Sequence, residues 1–182
     1  MVSENQSHSH PVRVFLSRAL RSLRTHATDR LMSEPDPRLL GAASFETAVL
    51  SKRIALAEEI DELGHVNNAV YVRWVQDAAV AHWFAVAPPA LHDDVIWVCS
   101  RHEIDYKDQV FEGDEVEVRT WLGAVQGARF ARHTDIRKVG AKRPAAVAHT
   151  QWVLMDRAKG RPRRVQKEML DTFGLKADRH FE

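Results

Sequence analysis

A carboxylate, an imidazole and two amides fall within eight residues in the segment Asp61-Glu62-Leu63-Gly64-His65-Val66-Asn67-Asn68-Ala69-Val70-Tyr71. Asn67 or Asn68 makes a good helix cap, and an apolar-rich run follows, so the segment reads as a loop entering a helix amino terminus. The first turn of a helix carries unpaired backbone N–H groups and about half a positive charge. Such donors polarise a carbonyl and hold an oxyanion. A carboxylate one loop away, Asp61, could then attack the polarised carbon or activate a water. Gly64 lets backbone or ligand approach closely. Together these residues form an acyl-transfer constellation without a serine or cysteine nucleophile.

Each residue also has a plainer use. Asp61 could be a loop or capping aspartate. His65 could orient the loop by bonding backbone or share in the chemistry, and Asn67 and Asn68 cap the helix. Tyr71 reads as helix packing ahead of chemistry, and His82, on the apolar arc, as a core histidine. Asp61 and His65 have no third histidine or cysteine at zinc spacing, so no metal site is expected, and no cofactor. The densest basic run is Arg157, Lys159, Arg161, Arg163, Arg164 and Lys167, around Gly160 and Pro162. It is either a solvated loop or a dock for coenzyme A phosphates or an acidic carrier protein. Lys138, Lys142 and Arg143 make a weaker basic turn.

The elements that must position these groups follow from periodicity. Residues 45–57 are β-permissive, and a polar break at residues 58–64 leads to a long helix that ends before Pro88–Pro89. Tyr71, Trp74, Val75, Ala78, Ala79 and His82 share one arc of that helix, opposite Arg73, Gln76 and Asp77. Period two then takes over: Val116, Val118, Thr120 and Leu122 alternate with Glu115, Glu117, Arg119 and Trp121. Residues 95–106, 129–137 and 145–155 are further strands. Turns fall at residues 111–114, 126–127 and 139–144, and a short helix over residues 166–173 stops at Gly174. An antiparallel sheet wrapped around one long helix, an α+β arrangement, accounts for this order and for the broad apolar arc.

Composition excludes several classes. With 26 basic and 25 acidic residues in 182, no charge imbalance argues for nucleic acid. The single Cys99 rules out an internal disulfide framework and fits a reducing, cytoplasmic setting. The longest apolar stretch, about residues 78–91, is broken by His82 and two prolines, so neither a membrane span nor stable membrane association is expected. Residues 1–43 read as an extension, flexible or partly helical, before a domain over residues 44–174 and a tail over residues 175–182. In the extension Val12, Phe15, Leu16, Ala19, Leu20 and Leu23 would form an apolar stripe opposite most of Arg13, Arg18, Arg21 and Arg24. That stripe suits sequence upstream of a true start at Met32, a mitochondrial transit peptide or a weak membrane-surface helix.

The motif Asp-x-x-Gly-His-Val-Asn-Asn-x-x-Tyr before an amphipathic helix resembles the hotdog-fold acyl-CoA thioesterases of the 4-hydroxybenzoyl-CoA type. It is also similar to the acyl-acyl-carrier-protein thioesterases. The likeness runs from about Phe45 to Gly174 and includes the Glu112-Gly113-Asp114 turn. It implies a hotdog fold, a homodimer or homotetramer with sheets paired edge to edge, active sites at the dimer interface, and an acyl-CoA or acyl-carrier-protein substrate. By the same resemblance Asp61 is the catalytic carboxylate, Asn68 offers its backbone N–H to the thioester oxygen, and His65 matches the carrier-protein branch. That branch has an asparagine where this chain has Leu63. Gly64, Asn67 and Tyr71, with Arg161, Arg163 and Arg164, are the candidate substrate-binding positions. Other hotdog thioesterases use a carboxylate within the helix, a role for which Asp77 is the candidate. Rival activities are an acyl-thioester hydratase or dehydratase on the same fold, or a non-catalytic acyl-thioester-binding module.

Overall fold

The computed structural model describes residues 36–176. The apolar stripe near residues 12–23, the Met32 start and residues 177–182 lie outside the described residues. A strand β1 (Val49–Ile54) leads through a 3-10 turn at Ala57–Glu59 into the long helix α1 (Asn68–Val86). A short helix α2 (Pro89–Asp94) follows, then strands β2 (Val95–Tyr106), β3 (Glu115–Gln126), β4 (Arg129–Lys138) and β5 (Ala146–Asp156). A two-residue strand β6 (Arg161–Pro162) and helix α3 (Lys167–Thr172) complete the order.

All pairings are antiparallel, in the order β1-β3-β4-β5-β2. β6 pairs with Met155 and Asp156 while β2 pairs with the same two residues, so β6 continues the row of β4. Among the described residues β1 and β2 are the edges of the sheet. The alternation read from β3 is present: Val116, Val118, Thr120 and Leu122 are buried beneath the helix. α1 buries Val70, Tyr71, Trp74, Val75, Ala78, Ala79, His82, Trp83 and Val86 against the sheet. No helix among the described residues is long and apolar enough to cross a membrane.

Pro88–Pro89 does stop α1, and Pro89 also opens α2, where a first-turn proline loses nothing because its N–H would be unpaired anyway. Residues just before residue 44 touch the domain. The Gly41 N–H donates to Phe173 O at 2.8 Å, and Leu122 N–H donates to Ala42 O at 2.9 Å. Gly174, at φ +68°, ends α3, and a Cβ there would stand 2.8 Å from the Leu40 Cβ. Only glycine fits both the turn and the approach.

Among the described residues the core has two apolar clusters. One groups Val66, Tyr71, Trp74 and Val75 with Val116, Val118 and Ile136. The other groups Trp83, Leu122, Phe130, Leu154, Leu170 and Phe173. The buried polar residues Thr120, Arg132, Thr134, Thr150 and His82 also face the interior. Arg132 Nη1 donates to Thr120 Oγ1 at 3.1 Å and to His82 Nδ1 at 3.3 Å. His82 Nε2 lies 2.8 Å from Leu39 O, a carbonyl that can only accept. The ring is therefore the neutral Nε2–H tautomer, fully satisfied, and a core histidine as its place on the apolar arc suggests.

Burial, with the charge of Arg132 second, pushes His82 down to about 4. The unfolded chain binds this proton near the ordinary histidine value of about 6.5, the native chain only near 4, so stability falls as pH drops through that window. Urea denaturation should show on the order of 2 kcal/mol less stability at about pH 4.5 than at about pH 7.5 from this residue. His82→Gln, which can still donate and accept, should shrink the difference. An unchanged pH dependence in that variant would show that other groups cause the loss.

Candidate active site

The loop before α1 is closed by backbone pairing. Ile60 and Val66 form an antiparallel bridge, Asp61 N–H donates to His65 O at 2.9 Å, and Gly64 N–H donates to Asp61 O at 3.0 Å. Gly64 takes φ +79°, which the turn requires. Val66 N–H donates to Val110 O at 2.8 Å and fixes the loop to the segment after β2. Asp61 Oδ1 accepts the Leu63 N–H at 2.9 Å, as a turn aspartate does. That bond uses one carboxylate oxygen; Oδ2 has no partner among the described residues.

His65 Nδ1 lies 3.7 Å from Asp61 Oδ1 and 3.4 Å from Val66 O. The two side chains are similarly shielded, 19% and 18% exposed, so both are reachable without being fully solvated. The contact distances suit an orienting histidine at least as well as a proton-transfer partner.

Asn67, not Asn68, is the helix cap: its Oδ1 accepts the Ala69 N–H at 2.9 Å and its carbonyl accepts the Val70 N–H at 2.9 Å. The Asn67 N–H is itself held by Glu59 O at 2.9 Å. The next N–H, that of Asn68, is left without a partner among the described residues. It stands at the positive end of a 19-residue helix, as an oxyanion donor requires.

The other expected residues are placed differently. Tyr71 is 3% exposed, with its ring 5.3 Å from Trp74 and 5.4 Å from Tyr106, and burial pushes its phenol up to about 12. It packs the first cluster. Asp77 is exposed, paired with Arg53 at 3.5 Å, and nine residues past Asn68, about 14 Å along the helix.

Arg161, Arg163 and Arg164 are exposed. Arg161 and Arg163 line a 530 Å³ cavity with Lys159, Asp94 and Asp156, and Arg163 is paired to Asp94. That cavity lies where Val95 pairs with Asp156. The opposite end of β2 carries Tyr106, whose hydroxyl donates to Asn68 O at 3.1 Å. Twelve residues of strand, roughly 35 Å when extended, therefore separate the basic run from Asp61 and Asn68 within one chain. The structure does not bring them together.

Two residues at the site carried no sequence signal. Tyr106 ends a strand that pattern alone cannot orient, and Glu59 sits in what reads as a polar break. Among the described residues no group of three or more His, Cys, Asp or Glu side chains gathers as a metal would need.

A curled antiparallel sheet around one long helix is the hotdog fold, and the carboxylate loop at that helix's start is its candidate site. The pattern of the thioesterase-like superfamily matches residues 55–173, and the chain belongs to that family. Solved hotdog structures agree on the fold. The dynemicin thioesterase, known in a polyene-bound form with induced-fit and allosteric effects, is 24% identical, with a TM-score of 0.60 over 71% of this chain and 99% of that one. A thioesterase from Thermus thermophilus, complexed with coenzyme A and Zn, is 23% identical, with a TM-score of 0.60 over 68% and 90%. The probable thioesterase YbaW from Escherichia coli is 16% identical, with a TM-score of 0.61 over 69% and 96%. No curated protein matches the chain.

Proposed function

We propose that the chain hydrolyses acyl thioesters, releasing a carboxylic acid and a free thiol. The observation that carries this reading is a carboxylate with one oxygen unused, Asp61, in the loop that leads to the Asn68 N–H at the start of α1, both without a partner for those atoms among the described residues. In this reading the thioester carbonyl oxygen accepts the Asn68 N–H, whose position at the helix terminus favours developing negative charge. Asp61 either attacks the carbonyl carbon, expelling the thiolate and leaving an acyl anhydride that water then hydrolyses to the acid and free Asp61, or takes a proton from a water that attacks the carbon and expels the thiolate directly. His65 holds the loop, and Gly64 leaves room for the thioester beside it. The thiolate leaves and is protonated from solvent.

The assembly proposed with it is a homodimer made through β2. This edge is 12 residues long, and a free edge of that length is a template for another strand. A two-fold axis would set β2 antiparallel to its copy. The Val95 end of one strand would then lie beside the Tyr106 end of the other. Arg161, Arg163 and Arg164 of one subunit would thereby approach the Asp61 loop of the other, although they are far from it within one chain. Phosphates of coenzyme A, the ligand bound in the Thermus thermophilus structure, are the chemistry such a run would meet. Carrier-linked phosphopantetheine is the other source of the same thiol.

The test is thiol release from acyl-CoAs of increasing chain length and from their carrier-linked counterparts. The reading predicts one equivalent of thiol per substrate consumed for at least one acyl class. No thiol release from any of them would exclude it.

A further inference from the structure

Glu59 is a buried carboxylate, 6% exposed, two residues before Asp61. Its Oε2 accepts the Leu56 N–H at 3.1 Å, which closes the 3-10 turn ahead of the loop. Its Oε1 accepts the Trp74 Nε1–H at 3.2 Å and a short charge-assisted bond from Arg73 Nη2. Its carbonyl accepts the N–H of the helix cap, Asn67. One residue thus grips both ends of the Asp61 loop and the second turn of α1. Trp74 is wholly buried, so the far anchor is rigid. Burial works against the charge of Glu59, and the donors at Leu56, Trp74 and Arg73 overcome it, holding the carboxyl below the usual range.

We propose that Glu59 is a positioning residue for thioester hydrolysis: it sets the distance between the Asp61 carboxylate and the Asn68 N–H by clamping the loop to α1. This inference rests on the thioesterase reading above. Misplacing an attacking group by about 1 Å can cost on the order of 10²-fold in rate. Glu59 is buried and both its carboxylate oxygens are bonded to the chain's own donors, so its loss should act on the chemical step more than on binding.

The experiment compares Glu59→Gln, Arg73→Met, Asp61→Asn and Val125→Ala in the full-length protein, with kcat, KM and urea stability measured for each. Arg73→Met changes a side chain that is 55% exposed and leaves the Leu56 and Trp74 bonds in place, so it should fold if Glu59→Gln does not. Val125→Ala trims the second apolar cluster, away from the site, and controls for stability alone. We expect Glu59→Gln to lower kcat about tenfold or more with KM within about threefold, and Arg73→Met to lower kcat by a smaller factor in the same direction. Val125→Ala should keep its kcat at a comparable loss of stability. The proposal is overturned if Glu59→Gln and Arg73→Met both turn over at the wild-type rate. It is also overturned if Val125→Ala loses kcat in step with Glu59→Gln, which would reduce Glu59 to a fold-stabilising residue. Full activity of Asp61→Asn would instead sink the thioesterase mechanism on which the inference stands.

Discussion

Asp61→Asn should lower kcat for thioester hydrolysis by about 10²-fold or more while leaving KM near the wild-type value. The amide keeps the shape of the carboxylate, and its oxygen can still accept the Leu63 N–H that forms the turn. What is lost is charge, basicity and nucleophilicity. Because the loop is also held by the Ile60–Val66 bridge and by Val66 N–H to Val110 O, the substitution should leave its path intact. His65→Ala should cost less if His65 only orients the loop, as its 3.4 Å approach to Val66 O suggests, and as much if it shares the proton transfer. A nucleophilic Asp61 would form an acyl-enzyme anhydride that can be trapped, whereas a general base would not. Asp61→Asn turning over at close to the wild-type rate would remove Asp61 from the mechanism, and Asp77 would be the next carboxylate to replace.

The second large effect concerns assembly. Val98 is an apolar residue 47% exposed on the free edge strand β2. If two copies pair through this edge, Val98→Glu enters the interface twice and places two carboxylates in a contact that buries apolar surface. Light scattering at micromolar concentration should then give a monomer where the wild type gives a dimer. Thiol release should fall by about 10²-fold in parallel, because the site would lose what the second subunit supplies. A Val98→Glu monomer with full activity, or a wild-type monomer with full activity, would contradict an interfacial site.

Much of this architecture is legible in the chain. The β3 alternation and the α1 arc are strong because burial on one face imposes a period, two for a strand and 3.6 for a helix. A sheet wrapped around one long helix follows, since a sheet and a broad helical arc bury each other, and the resemblance carried by the Gly-His-Val-Asn-Asn motif implies the hotdog form of it. The cap is ambiguous in sequence between Asn67 and Asn68, because either side chain can bond a first-turn N–H; the geometry selects Asn67 and so frees the Asn68 N–H.

Other features escape any local reading. Arg132 alternates inward with Phe130, Thr134 and Ile136, but a charged residue gives no sign of burial until His82 and Thr120 are placed against it. Burial alone pushes its guanidinium down to about 9, a perturbation set by neighbours from elements far apart in sequence. Glu59 looks like loop polarity until its donors arrive from Leu56, Arg73 and Trp74. The basic run is compact in sequence, yet its distance from Asp61 depends on which end of β2 it reaches. Local composition carries no such information.

Product analysis in ¹⁸O-enriched water tests the central claim most directly. Purified protein is given an acyl-CoA that it consumes, and thiol and acid are quantified together by mass spectrometry. Hydrolysis at Asp61 and Asn68 predicts one free thiol and one carboxylic acid per thioester over many turnovers, with solvent oxygen in the acid, and loss of both products in Asp61→Asn. Thioester that remains intact, or is hydrated at a double bond without thiol release, would contradict the account.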